Sequence, residues 1–204
     1  MPRRELARIE ERVRAHRPAR FEGEPAARAA VAIVLAPADR DLDVLLIERA
    51  KRARDPWSGH MAFPGGRRDR SDPDLVTTAV RETREEVGID LSRHGRLLGP
   101  LDELQALAGG HPLDLVITPF LFGLEHPLGP AIDPREVAAA LWVPLGRFRD
   151  GRSRATTSFA RGGVRAELPA FRIEGHTVWG LTYRMIERLL EVIGDDPRAG
   201  RGGA

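Results

Sequence analysis

The strongest constraint on this chain is residues 63–89, FPGGRRDRSDPDLVTTAVRETREEVGI, where a Gly-Gly turn feeds a helix that gathers carboxylates on one side. Asp72-Pro73-Asp74 predicts the helix start, because an Asp side chain accepts a bond from an unpaired amide and proline is pre-set for the first helical position. Gly88 predicts its end. Val76, Val80, Thr83 and Val87 recur at spacings of four, three and four, so they share a stripe that can face a core. Glu82, Glu85 and Glu86 fall on another face, spread over roughly 100° of arc, and converge.

Carboxylates packed that closely repel, at a cost of a few tenths of a kcal/mol for like charges one turn apart. Arg81 and Arg84 supply part of the compensation. Hard oxygen donors with no Cys or His beside them suit Mg²⁺ or Mn²⁺, held together with water and a substrate phosphate. A solvated charged face is the plain alternative. Pro64-Gly65-Gly66 weighs against it, since a bare backbone lets a ligand approach closely and offers amide and carbonyl groups to a metal or phosphate.

On these residues the segment resembles the Nudix box, whose second half reads R-E-U-x-E-E-x-G-U, with U a bulky apolar residue. It matches at Arg81, Glu82, Glu85, Glu86, Gly88 and Ile89. It departs at Thr83, where an apolar residue is usual, and in a spacing from Gly66 to Arg81 that is one residue longer, with no Glu in the first half. Asp69 or Asp72 can replace that Glu, whose family role is mainly to brace the Arg. The resemblance covers residues 28–192 and implies an α/β fold, a Nudix-type α/β/α sandwich with a central mixed β-sheet. It implies metal ligation by Glu82, Glu85 and Glu86 with help from a carbonyl near Gly66, and Arg81 holding the carboxylates in register. Glu136, in the loop ahead of a Trp-Val-Pro-Leu strand, resembles a distal carboxylate of the family. Glu85 or Glu136 would serve as base; a surface pair of Glu136 with Arg135 is the plainer reading.

A second resemblance, to the coenzyme A pyrophosphatase subgroup, rests on Leu45-Leu46, Arg49-Ala50, Arg52 and Arg54, Gly59, Phe63-Pro64-Gly65-Gly66 and Trp179-Gly180-Leu181-Thr182. It implies hydrolysis of a pyrophosphate bond in a nucleoside diphosphate derivative, most directly coenzyme A, giving phosphopantetheine and adenosine 3′,5′-bisphosphate. ADP-ribose, NADH or a dinucleoside polyphosphate is the alternative substrate, and a non-catalytic nucleotide-binding module the alternative class. Arg49, Arg52 and Arg54, with the Gly65 and Gly66 backbone, are the candidate substrate contacts; each Arg is otherwise a solvated charge.

The remaining sequence supports one domain. At 204 residues and 42% hydrophobic content there is material for a single core, expected over residues 27–193, with an N-terminal helix and linker (1–26) and a tail (194–204) that has nothing to bury. Leu6, Ile9 and Val13 line an amphipathic helix over residues 3–16, read as docked on the domain, with a lid or dimer contact as the alternative. Apolar runs at 27–35, 43–48, 97–104, 115–124 and 139–145 predict strands, with Pro119 pointing to an edge, bulge or bend. Residues 149–163 read as a substrate-covering or disordered loop, 166–173 with 176–179 as a hairpin, and 179–192 as a helix buried through Leu181, Met185, Leu189 and Val192. Zero Cys excludes thiolate metal sites, and a net charge of +2 gives no nucleic-acid signal. No apolar run reaches membrane-spanning length and the first residues lack a signal-peptide core, so a cytoplasmic protein with a small-molecule nucleotide as partner is expected, a homodimer being possible.

Overall fold

Along β1 (Ala27–Pro37) side chains alternate between two cores: Ile33 and Leu35 enter one, while Ala30, Ala32, Val34 and Ala36 enter the other. A strand buried on both faces reads as an unbroken apolar run, which is how this stretch looks in sequence. β2 (Leu42–Arg49) divides the same way, with Leu42, Val44 and Leu46 opposed to Leu45 and Ile47. The computed structural model describes residues 1–53, 57–108, 111–161 and 164–194. Within it these strands lie at the centre of a mixed sheet of order β3-β2-β1-β7-β5, where β3 is Met61–Ala62, β5 is Arg96–Pro100 and β7 is His111–Gly123. β1 and β7 run parallel, while β4 (Gly65–Arg67), β6 (Leu104–Ala108) and β8 (Val137–Pro144) add antiparallel to β1, β7 and β2.

Helices cover both faces. α2 (Leu75–Val87) and the short α3 (Leu91–His94) pack Ala79, Val87 and Leu91 on one, and α1 (Pro2–Ala15) and α5 (Gly180–Ile193) pack Ile9, Leu189 and Ile193 on the other. This is the expected α/β/α sandwich. α1 is docked as predicted, with Leu6, Ile9 and Val13 buried. The segment after it is pinned by neighbouring carboxylates: Asp102 accepts from His16 and the Ala19 amide, and Glu103 from the Phe21 amide and Arg28. Among the described residues no helix is long and apolar enough to cross a membrane.

Several local expectations are revised. The fully buried face of α2 comprises Thr78, Ala79, Thr83, Glu86 and Val87, so it is rotated from the valine stripe, with Val76 and Val80 only partly covered. Thr83 is tolerated there because its hydroxyl donates to the Ala79 carbonyl at 2.7 Å. Residues 97–104 break into β5 and β6, and Pro119 of β7 faces the gap, its carbonyl taken by the Leu101 amide at 2.9 Å. A proline needs no ladder partner at such a gap. Of the stretch 149–163, residues 162 and 163 lie outside the described residues; the rest end the short helix α4 (Gly146–Arg149) and form strand β9 (Arg154–Arg161), which pairs with β10 (Val164–Ile173) and, through it, β11 (His176–Trp179). Its polar sequence hides the strand because one side meets water, while Arg154 lies over the Phe171 ring and bonds Tyr183 and Glu187 of α5. The last ten residues, 195–204, lie outside the described residues.

Candidate active site

Gly65 and Gly66 sit opposite Val31 and Ala30, and each is glycine for its own steric reason. A Cβ on Gly65 would fall 2.3 Å from the Ala30 carbonyl oxygen; one on Gly66 would fall 2.5 Å from the Glu82 carboxylate. The turn thus presses bare backbone against the acidic face of α2, and the Gly65 N–H donates to Glu86 Oε2 at 2.9 Å.

α2 itself starts at Asp74, which caps the Thr77 amide, and stops at Gly88 with φ 69°. The stop matters to the site because a later loop docks there: the Ala131 amide donates to the Val87 carbonyl at 2.8 Å and the Asp133 amide to the Glu86 backbone carbonyl at 3.0 Å. Three residues on, the Glu136 carbonyl accepts from Ala50 N–H at 2.8 Å. Held at both ends, Glu136 turns back toward the helix, and one carboxylate oxygen each from Glu82, Glu86 and Glu136 lie within 4.8 Å of one another. Glu85 stands outside that group, half exposed, accepting from Arg81 Nη1 at 2.9 Å. Arg135 pairs with Asp133 rather than Glu136.

Arg81 is the hub. Its Nε and Nη2 donate to both oxygens of Asp72 at 3.0 and 2.9 Å, and its Nη1 reaches Glu82 and Glu85 at 2.9 Å each. Of the two candidate replacements for the missing Glu, Asp72 is the one that braces the arginine; Asp69 instead accepts from Ser71. Asp72 is buried, also accepts from Thr78, and the Arg81 bonds hold its carboxyl far below the usual range. A carboxyl depressed on folding adds stability that is complete above its unfolded pKa of about 4 and drains away as pH falls below it. Asp72→Asn is therefore expected to flatten the acid limb of stability below about pH 4, measured by urea unfolding, and to lower kcat about 10–100-fold, as loss of a group supporting metal ligands does.

The group of three carboxylates fits a hard divalent cation. Its donors are all oxygens, close enough to share one ion, and the burial that pushes the Glu82 carboxyl up also pushes that of Glu86 to about 8. For Glu86 the Gly65 N–H and the Arg49 charge pull the other way, whereas Glu82 and Glu136 add repulsion. Positive charge placed among them relieves that strain.

The arginines divide. Arg49, at the end of β2, lies near enough for its charge to act on Glu86. Arg52 donates to the Arg135 carbonyl at 2.7 Å and meets Glu136 at 3.4 Å, so it holds the loop that bears Glu136. Arg54 lies outside the described residues. Sequence reading did not find the docking of the 131–136 loop on α2, nor the bond from Thr182 Oγ1 to the Met61 carbonyl at 2.9 Å, which ties the Trp179-Gly180-Leu181-Thr182 segment to the strand before Phe63-Pro64-Gly65-Gly66. Backbone and side-chain bonds across more than a hundred residues in the second case leave no local pattern to read.

Residues 26–161 match the model of the NUDIX domain. The chain is 35% identical to the mitochondrial coenzyme A diphosphatase of Homo sapiens over 176 residues, covering 82% of this chain and 71% of that protein. It is 46% identical over 105 residues to an uncharacterized protein of Schizosaccharomyces pombe, 50% of this chain but 32% of the relative. Among solved structures, a MutT/nudix family protein from Enterococcus faecalis superposes with a TM-score of 0.54 at 17% identity, covering 93% of this chain and 74% of that one, a likeness of fold.

Proposed function

The chain belongs to the Nudix family of pyrophosphohydrolases, and from that premise we propose that it cleaves the diphosphate of coenzyme A or a derivative, giving phosphopantetheine and adenosine 3′,5′-bisphosphate. The observation that supports this substrate best is the similarity to a coenzyme A diphosphatase across most of both chains. It is joined by the Thr182–Met61 bond, which makes one unit of two segments that resemble that subgroup.

In this reading Glu82, Glu86 and Glu136 hold Mg²⁺ or Mn²⁺, which when bound neutralises phosphate charge and makes a water more acidic. Glu85, outside the ligand group, takes the proton of the attacking water at its carboxylate. Arg81 orients Glu82 and Glu85 at once, while Arg49 steadies the diphosphate as a charged fork. The water oxygen bonds to one phosphorus as the bridging P–O bond breaks, so each product leaves with a phosphate.

The test is turnover of a panel of coenzyme A, ADP-ribose, NADH and diadenosine polyphosphates with Mg²⁺ or Mn²⁺, products identified by mass. Coenzyme A is expected to have the highest kcat/KM, by at least about tenfold. An inert coenzyme A beside a rapidly cleaved ADP-ribose would overturn the assignment in favour of the broader nucleotide class.

A further inference from the structure

Aromatic residues are scarce here, 5% of the chain, and Phe63, Phe120, Phe122, Phe148 and Phe171 are buried. Two that are not, Phe159 and Trp179, meet each other beside His60. The His60 and Trp179 rings have centroids 4.6 Å apart at 56°, and Phe159 lies 5.6 Å from Trp179 at 45°. All three residues are partly exposed. They come from three separate elements, the turn before β3, the end of β11 and the middle of β9.

Their position is set by the candidate site. The His60 carbonyl accepts from the Arg49 N–H at 3.0 Å, so His60 sits one strand spacing, roughly 5 Å, from the residue whose charge acts on Glu86. Trp179 is anchored by its strand pairing with Ala170 and by the adjoining Thr182–Met61 bond. Arg49, His60, Trp179 and Phe159 are thus linked in series by one backbone bond and two ring contacts, starting at the residue taken above to steady the diphosphate. The phosphate end is cationic and the far end is a π surface.

We propose that His60, Trp179 and Phe159 form a stacking platform for the purine base of the nucleoside diphosphate whose phosphates lie at Arg49 and the carboxylate group. This rests on the nucleotide reading above and assigns the base to one end of it. Tilted, partly exposed rings offer faces to a planar heterocycle, and stacking of a base on such a ring tolerates substitution by another ring and not by an aliphatic side chain.

The experiment titrates the full chain, without divalent cation, with ADP and with ribose 5-phosphate. ADP is expected to quench tryptophan fluorescence and ribose 5-phosphate to leave it unchanged. In Trp179→Phe most of the quench is lost while calorimetry still detects ADP, because a ring remains. In Trp179→Leu and Phe159→Leu the dissociation constant for ADP rises about tenfold, and KM for the best substrate rises more than kcat falls. ADP that leaves wild-type fluorescence unchanged, or Leu variants with native circular dichroism and unchanged ADP affinity, would overturn the platform. Should the Leu variants not fold, the Trp179→Phe pattern of quench lost and binding kept decides. Absence of turnover on any nucleoside diphosphate defeats the hydrolytic substrate assignment alone, since the ADP titration reads the base site without catalysis.

Discussion

Glu86→Gln is expected to lower Mg²⁺-dependent hydrolysis about a thousandfold or more while the protein stays folded. Glu86 is buried at the contact of α2, β4 and the 131–136 loop, and its carboxylate is central to the group shared with Glu82 and Glu136. If Glu86 holds the metal as proposed, losing it removes several kcal/mol of the stabilisation that a bound metal gives to developing phosphate charge, and each 1.4 kcal/mol is a factor of ten. Gln keeps an acceptor for the Gly65 N–H and is uncharged, as a carboxyl pushed up to about 8 by burial largely is at neutral pH without metal, so the metal-free variant should melt within a few degrees of the wild type. The discriminating measurement is the effect of the cation on Tm. At about a hundred times its Kd, a cation that binds only the folded state adds about 2.7 kcal/mol, roughly 5–10 °C for a chain of this size. Wild type should show that rise and Glu86→Gln should lose most of it. Wild-type turnover in the variant, or an undiminished thermal shift, would remove Glu86 from the metal site.

The second large effect separates two adjacent glycines. Gly65→Ala places a Cβ 2.3 Å from the Ala30 carbonyl and 2.6 Å from Val31 Cα, both backbone, at φ 151°. Neither atom can yield without moving β1, the strand buried on both faces, so a loss of about 3 kcal/mol or more is expected, roughly 6–12 °C in Tm. Gly66→Ala instead meets the carboxylate of Glu82 at 2.5 Å, the end of a flexible side chain. That head can swing aside, so stability should change by less than about 1 kcal/mol, while Glu82 leaves both the ligand group and Arg81. A displacement of about 1 Å in such a site costs on the order of a hundredfold in rate. Thermal melts and turnover should therefore move in opposite proportion in the two variants, and a Gly66→Ala enzyme with normal activity would contradict the close approach.

Much of this was legible in the chain because it is local. The Gly-Gly turn, the stop at Gly88 and the spacing of Glu82, Glu85 and Glu86 are set by bonds among near neighbours and appear where expected, whereas the helix starts at Leu75 with Asp74 as its cap, two residues later than Pro73 in the first helical position would put it, because the Asp72 carboxylate is taken by Arg81 and Thr78. The burial stripe was less legible. Val76 and Val80 suggested one face of α2, but the need to bury Glu86 against Gly65 and the 131–136 loop rotates the helix, and a threonine with an internally bonded hydroxyl is accepted in the core. The region at 149–163 misled for a related reason: a strand with one wet face has the composition of a loop, and its partner, β10, supplies the pairing that composition cannot show.

By itself, the order of residues determined the helix with its converging carboxylates, the backbone-bare turn before it and the apolar strands able to sandwich a core, because each follows from periodicity and short-range bonding. Only the tertiary structure decided that Asp72 rather than Asp69 braces Arg81, that Glu136 rather than Glu85 joins Glu82 and Glu86, and that His60, Phe159 and Trp179 share one surface. Those pairings bridge distant segments. They are set by how strands register and loops dock on helix ends, a cooperative property of the packed chain rather than of any window within it.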